Sequence, residues 1–189
     1  AMLDLVKQET ERIDSRFLEP ACGTGNFLSE VLTRKLAVVK SRYRKSQLEY
    51  ERNAVLSVSS IYGIDILQDS VVKCRERLFS IFEKAYRRLF RTTAKNECCD
   101  AVKYILGKNI VHGDALTMKI IHDPPRPIVF AEWSLVNGSM LKRRDYVMSF
   151  LVEKHYQMRL FSDEGNPADI NEPVREYPLT HFLKVGDAR

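Results

Sequence analysis

The sequence is short of most features that decide a function quickly. No run of about 18 apolar residues occurs, so no membrane-spanning helix is expected. The opening residues Ala1-Met2-Leu3-Asp4 bring an acid at once and have no apolar stretch behind them, so no secretion signal is expected. There are four cysteines, Cys22, Cys74, Cys98 and Cys99, with no C-x-x-C among them. An adjacent pair suits neither a zinc site nor a disulfide framework, so reduced thiols and a cytoplasmic location are expected. The four histidines, at 112, 122, 155 and 181, lack metal-ligand spacing, so no metal is expected. The G-x-x-x-x-G-K-[ST] loop of nucleotide hydrolases is absent. No internal repeat or low-complexity tract interrupts the chain.

What remains is the composition of a globular domain. Of 189 residues, 44% are hydrophobic and 29% charged. A chain of this length buries roughly two-thirds of the surface it exposes unfolded, which disfavours disorder and predicts one domain over 1–189. The formal charge of +5 permits a nucleic-acid partner without demanding one.

Periodicity organises the chain. Residues 3–13 read as a helix. Because this pattern is already under way at Leu3, a preceding segment is expected. A short apolar run over 16–20 ends in the turn Ala21-Cys22-Gly23-Thr24-Gly25-Asn26, and helical spacing resumes over 27–36. Residues 40–53 are polar and basic and read as a helix end or an exposed excursion. Residues 57–66 read as a second strand, 70–90 as a long helix, 92–100 as a mobile loop, 101–106 as a short helix and 109–116 as a third strand. Prolines punctuate 124–127 before a fourth strand over 128–133. Asn137-Gly138 predicts a hairpin with arms 128–136 and 140–148. A helix over 150–160, a loop over 163–173 and a last strand over 181–185 complete the reading. Strands alternating with helices indicate a parallel sheet covered on both faces, with ligands beyond the carboxyl ends of its strands where strand order reverses.

The first three strands each end in an acid: Glu19, Asp65 and Asp114. Gly23 and Gly25 let a ligand approach the backbone closely, and the helix opening near Asn26 offers unpaired N–H groups and a positive dipole end. Glu19 can accept from a ligand amine. Asp65, in Gly-Ile-Asp-Ile, can accept from two ribose hydroxyls, with Ile66 against a purine face. Asp114 can accept from an exocyclic amine, with Ala115 and Leu116 flanking the ring.

The string Phe-Leu-Glu-Pro-Ala-Cys-Gly-Thr-Gly-Asn-Phe-Leu over 17–28 resembles the first motif of S-adenosylmethionine-dependent DNA adenine N6-methyltransferases of restriction–modification systems. Ile-Tyr-Gly-Ile-Asp-Ile and His-Gly-Asp-Ala-Leu resemble their second and third motifs, and the likeness spans about 16–135. The resemblance implies an α/β, Rossmann-like methyltransferase sheet, mostly parallel, with the hairpin as an extension after strand four. It also implies S-adenosylmethionine as cofactor. Glu19, Pro20, Ala21, Cys22, Gly23, Gly25, Asn26 and Phe27 would surround its methionine end, Asp65 and Ile66 its ribose and adenine, and Asp114 and Ala115 its adenine amine.

The family's catalytic element, Asn/Asp-Pro-Pro-aromatic after strand four, has no counterpart there. Ala131-Glu132-Trp133-Ser134 stands in its place. Glu132 can accept from an amine and Trp133 can stack on a flipped base, which makes them the candidate catalytic pair. Asp123-Pro124-Pro125-Arg126 is a weaker candidate: it precedes the apolar run, has Arg where the aromatic belongs, and leaves little chain for a strand after Asp114. Lys142, Arg143 and Arg144, just past the Asn-Gly turn, are the candidate phosphate contacts. DNA is the expected partner, with a specificity or endonuclease subunit beside it. Three other readings stand alongside: a cofactor-binding subunit without catalysis, methyl transfer to RNA or protein, and an NAD-type dehydrogenase. Leu28, in the third glycine position of G-x-G-x-x-G, disfavours the last.

Overall fold

The computed structural model describes residues 7–149 and 172–187. Within these the chain is α/β with mixed sheets. The order is α1 (Lys7–Thr10), β1 (Phe17–Glu19), α2 (Asn26–Tyr43), α3 (Gln47–Ser59), β2 (Ile61–Asp65), α4 (Gln68–Phe90), α5 (Asn96–Asn109) and β3 (Ile110–Asp114). Then come β4 (Lys119–Ile120), β5 (Val129–Val136), β6 (Met140–Val147), β7 (Arg175–Glu176), β8 (Thr180–His181) and a 3-10 turn over Phe182–Lys184.

Each long helix forms for a legible reason. Gly25 opens α2 in the left-handed region (φ 81°), and Leu28, Val31, Leu32, Leu36 and Val39 form its buried stripe. Ser46 caps α3 by accepting from the N–H of Glu49, the S-x-x-E start signal. In α4, Val71, Cys74, Leu78, Phe82 and Tyr86 recur every three or four residues and are buried.

β1, β2 and β3 are parallel neighbours in that order, and β4 pairs antiparallel with β3. The sheet is therefore mixed, not mostly parallel, and strand order runs straight from β1 to β4 with no reversal among the described residues. The run expected as strand four does not join it. β5 turns at Asn137 and Gly138, both at positive φ, and pairs with β6 over eight residue pairs in a second, antiparallel sheet. This hairpin follows the expected arms to within a residue at each outer end, but it packs on the parallel sheet instead of extending it.

The two faces of the parallel strands are covered differently. Phe17, Ile61 and Ile110 face the helices and join the main core. Tyr62 and Ile64 face the other way and pack with Ile128, Phe130 and Met148. The Tyr62 hydroxyl donates to Ala131 O at 2.9 Å and its ring meets Phe130 edge-on at 5.3 Å, which docks β5 on β2.

Five expectations fail locally. Residues 57–59 are the end of α3, not the start of a strand, and most of 40–53 is helical. The loop expected at 92–100 is largely α5, which is longer than its expected core of 101–106 because Cys98, Cys99, Ala101, Val102, Ile105 and Leu106 form one buried stripe. A strand, β4, does fit between Asp114 and Asp123. Residues 182–184 form a 3-10 turn carrying the buried Phe182, so the expected last strand ends at His181. The expected helix at 150–160 and most of the loop at 163–173 lie outside the described residues, as does the opening of the first helix.

Candidate cofactor site

The carboxyl ends of β1, β2 and β3 carry Glu19, Asp65 and Asp114 on one sheet face. Glu19 is in register with Gly63, and Asp65, two residues on, is in register with His112. Side chains two apart on a strand share a face, so all three acids lie on the face that α2 and α4 cover. Each tip reaches two residues beyond its neighbour, which makes an oblique row.

The loop after β1 is built to approach β2 and α4. Cys22 N–H donates to Ile64 O at 2.9 Å, and Gly25 N–H to Cys22 O at 2.8 Å. A Cβ on Gly25 would lie 2.7 Å from Cys74 Sγ, and one on Gly63 would lie 3.0 Å from Cys22 Sγ. With Gly23 also at positive φ (52°), these glycines are required by backbone conformation and by close packing. Cys22 is buried, and its thiol is pushed up by its hydrogen bond to Cys74 and by desolvation. It is a packing residue whose backbone shapes the turn. Pro20 and Ala21 are exposed on the same turn.

Glu19 is half-buried. Its Oε2 is shielded from solvent and accepts from no donor among the described residues. Desolvation raises its carboxyl above the ordinary glutamate range. A buried acceptor without a donor is costly, and an N–H or O–H donor brought to it would relieve that cost.

Asp65 is a latch between two loops. Its Oδ2 accepts from Gly23 N–H at 2.8 Å and its Oδ1 from Leu67 N–H at 2.9 Å. Each oxygen keeps a lone pair for a further donor. Beyond it, Ile66 is 60% exposed and Leu67 is exposed too. Asp114 accepts from Leu116 N–H at 2.9 Å and from Thr117 Oγ1 at 3.0 Å, and the Leu116 N–H in particular holds its carboxyl below the ordinary range. Leu116 is 93% exposed, whereas Ala115 packs inward on the second apolar cluster. Apolar side chains left in solvent at two adjacent strand tips form a surface suited to a flat, weakly polar ring.

Asn26 opens α2 and its Oδ1 accepts from the Arg77 guanidinium of α4. Phe27 packs against Phe17, ring centroids 6.5 Å apart, and belongs to the core wall. Leu67, Cys74 and Arg77 were not anticipated. The Leu67 contact has a local signal, an aspartate accepting from the N–H two residues on. The other two come from α4 by tertiary packing and leave no local trace.

The candidate catalytic pair lies elsewhere. Trp133 is buried, and its Nε1 donates to Asn109 Oδ1 at 3.1 Å, which makes it a core residue with no face free for a base. Glu132 is ion-paired with Arg16, which precedes β1 and so stands at the opposite end of that strand from Glu19. Asp123 is exposed in the loop beyond β4, which runs back from Asp114 past His112. Glu132 and Trp133 do not meet the row of acids, whereas His122 and Pro125, which flank Asp123-Pro124, line one cavity with Asp114.

The expected phosphate contacts are committed within the fold. Arg143 donates to both carboxylate oxygens of Asp145 at 2.7 Å and to Tyr104 Oη at 2.9 Å, and it stacks 4.0 Å from the Tyr177 ring. Lys142 and Arg144 both pair with Glu176, at 3.0 and 2.8 Å. Among the described residues, no group of three His, Cys, Asp or Glu is placed to hold a metal ion, and no helix is long and apolar enough to cross a membrane. No protein-family model, curated protein or solved structure matches the chain.

Proposed function

We propose that the chain binds S-adenosylmethionine over the carboxyl ends of β1, β2 and β3 and serves methyl transfer to the N6 amine of adenine in DNA, within a cytoplasmic restriction–modification system. The carrying observation is the row of Glu19, Asp65 and Asp114 on one sheet face, with Glu19 Oε2 buried and lacking a donor. The identity of cofactor and acceptor rests on the resemblance of the three motifs.

In this reading Glu19 takes the cofactor's ammonium, which supplies the missing donor. Asp65 adds ribose hydroxyls to the backbone N–H groups it already holds. Ile66, Leu67 and Leu116 exclude water from the purine faces. The cofactor brings an electrophilic methyl sulfonium, so the protein's task is to align an acceptor nitrogen with it. The groups that hold the target base are not Glu132 and Trp133. They belong outside the described residues or to a partner such as a specificity or endonuclease subunit.

The burial of Trp133 and the pairing of Glu132 favour a second reading, a cofactor-binding unit that transfers nothing by itself. Calorimetric titration with S-adenosylmethionine, with NADH as the contrast, tests both. Asp65→Ala should weaken cofactor binding by about 1–3 kcal/mol while the protein remains folded by circular dichroism. Methyl label reaching plasmid DNA supports the first reading, and cofactor binding without transfer, whatever subunit is added, selects the second. NADH binding in place of S-adenosylmethionine rejects both.

A further inference from the structure

The positive charge of the chain is concentrated at one end. Residues 40–45 carry Lys40, Arg42, Arg44 and Lys45 and no acid, while residues 83–91 carry Lys84, Arg87, Arg88 and Arg91 against Glu83. These fifteen residues hold a net +7, more than the +5 of the whole chain, so the remainder is net acidic by two. The fold brings the two segments together. α2 and α4 both return antiparallel to the parallel strands, side by side, and Lys40 and Arg88 line one cleft between them. All eight cations are exposed. Glu83 is held by Arg87 at 2.9 Å, and the other seven cations have no acidic partner among the described residues.

Complementing the two helix dipoles would require a cation or two, not seven without counter-charges. We propose that this end of α2 and α4, with the turn between α2 and α3, is a sequence-independent binding surface for the phosphate backbone of duplex DNA. Duplex is favoured over single strands because the aromatic rings beside these cations, Tyr43 and Phe90, are packed in part against the main core, and the large hydrophobic side chains exposed among the described residues include no aromatic. Cations on two neighbouring helix ends, aimed at solvent, contact phosphates and do not read base edges.

The surface lies at the opposite end of α2 from Gly25, about 27 Å away at 1.5 Å per residue over 18 residues. It therefore holds DNA without presenting a base to the acids at the strand tips, and it stands independently of the cofactor reading.

The test is fluorescence anisotropy with a short labelled DNA duplex, titrated at several salt concentrations. The wild-type protein is compared with Lys40→Gln/Arg44→Gln/Arg88→Gln/Arg91→Gln, with Lys142→Gln/Arg144→Gln as the contrast. The quadruple variant should bind the duplex more weakly at every salt concentration. Its slope of log affinity against log salt should be shallower by about 3–4, since each phosphate contact contributes about 0.9. The contrast variant should keep the wild-type slope. Thermal melting and S-adenosylmethionine titration of the same proteins separate a folding defect or a failed cofactor reading from loss of this surface. Unchanged affinity and slope in the quadruple variant overturn the proposal, and so does tighter binding of single-stranded DNA or of duplex RNA than of duplex DNA.

Discussion

Glu19 holds a carboxylate where water reaches it poorly, and two consequences follow at that one residue. Desolvation raises its carboxyl, so in the ligand-free protein it takes up a proton at a higher pH than an ordinary glutamate. Only the ionised form attracts an ammonium. Cofactor affinity should therefore fall as pH is lowered from about 7, where the ammonium is largely formed, to about 5, beginning above the usual glutamate range. Titration calorimetry across that range checks it. Glu19→Gln should bind the cofactor more weakly and lose most of this pH dependence. The same variant should melt at a higher temperature at neutral pH. A neutral amide costs less to bury than a carboxylate without a donor, and a carboxyl whose folded pKa is raised loses stability as pH rises past its unfolded value. An identical pH profile in the variant would remove Glu19 from the ammonium role. Opposite signs for stability and binding would mark the residue as one kept for a ligand.

Among elements, the joint that unites the two sheets is Asn109, the last residue of α5. It is fully buried, its Nδ2 donates to Ser59 O and Ile61 O at 3.0 and 3.1 Å, and its Oδ1 accepts from Trp133 Nε1. One amide thus ties α5 to the junction of α3 and β2 and to the hairpin. Asn109→Ala leaves three polar groups unpaired in the core and should destabilise the protein by about 3 kcal/mol in urea unfolding. Trp133 is the sole tryptophan, so its emission reports the same loosening in the folded state. Unchanged stability and emission would show the joint to be incidental. Asn109 also marks where reading from sequence stops. The first three strands and the Asn-Gly hairpin were legible because local pattern decides them: apolar runs, glycine turns, and a three-residue turn in which Asn137 and Gly138 take positive φ. α3 was equally local but was missed, since its polar composition masked the Ser46–Glu49 cap and the apolar residues Tyr50, Ala54 and Val58. The placement of β5 was not legible. An apolar run before a hairpin looks the same whether it enters a parallel sheet or lies across one, and only Asn109, Tyr62 and Phe130, distant in sequence, choose between these. For the same reason the acids at the strand tips were found, but the burial of Trp133 and the internal pairing of Lys142, Arg143 and Arg144 were not.

Over the whole molecule, the rise of stability with pH above neutrality comes from a buried lysine. Lys35 of α2 is fully buried, donates to Ile13 O at 3.0 Å, to Ser60 Oγ at 2.6 Å and to Ser15 O, and lies 5.2 Å from the Phe17 ring centroid. It gathers the segment before β1, the start of β2 and α2 into one knot. Burial lowers its pKa to about 7, against the pull of Asp14 and Glu9. The unfolded chain keeps the proton up to about pH 10. Between these values the unfolded state binds more protons than the folded one, so stability should rise with pH, by up to about 1.4 kcal/mol per unit. Above about pH 10 the sign reverses, because buried tyrosines such as Tyr50, pushed up to about 12, stay protonated in the fold while the unfolded chain releases their protons. Urea midpoints at pH values from about 7 to about 9.5 test the rising limb. Lys35→Met, which leaves Ile13 O and Ser15 O without their donor, should start from a lower stability and follow a flatter line. Parallel lines for the two proteins would mean that the ammonium stays charged in its cage of acceptors throughout, and that the cost of burying it is offset by those bonds alone.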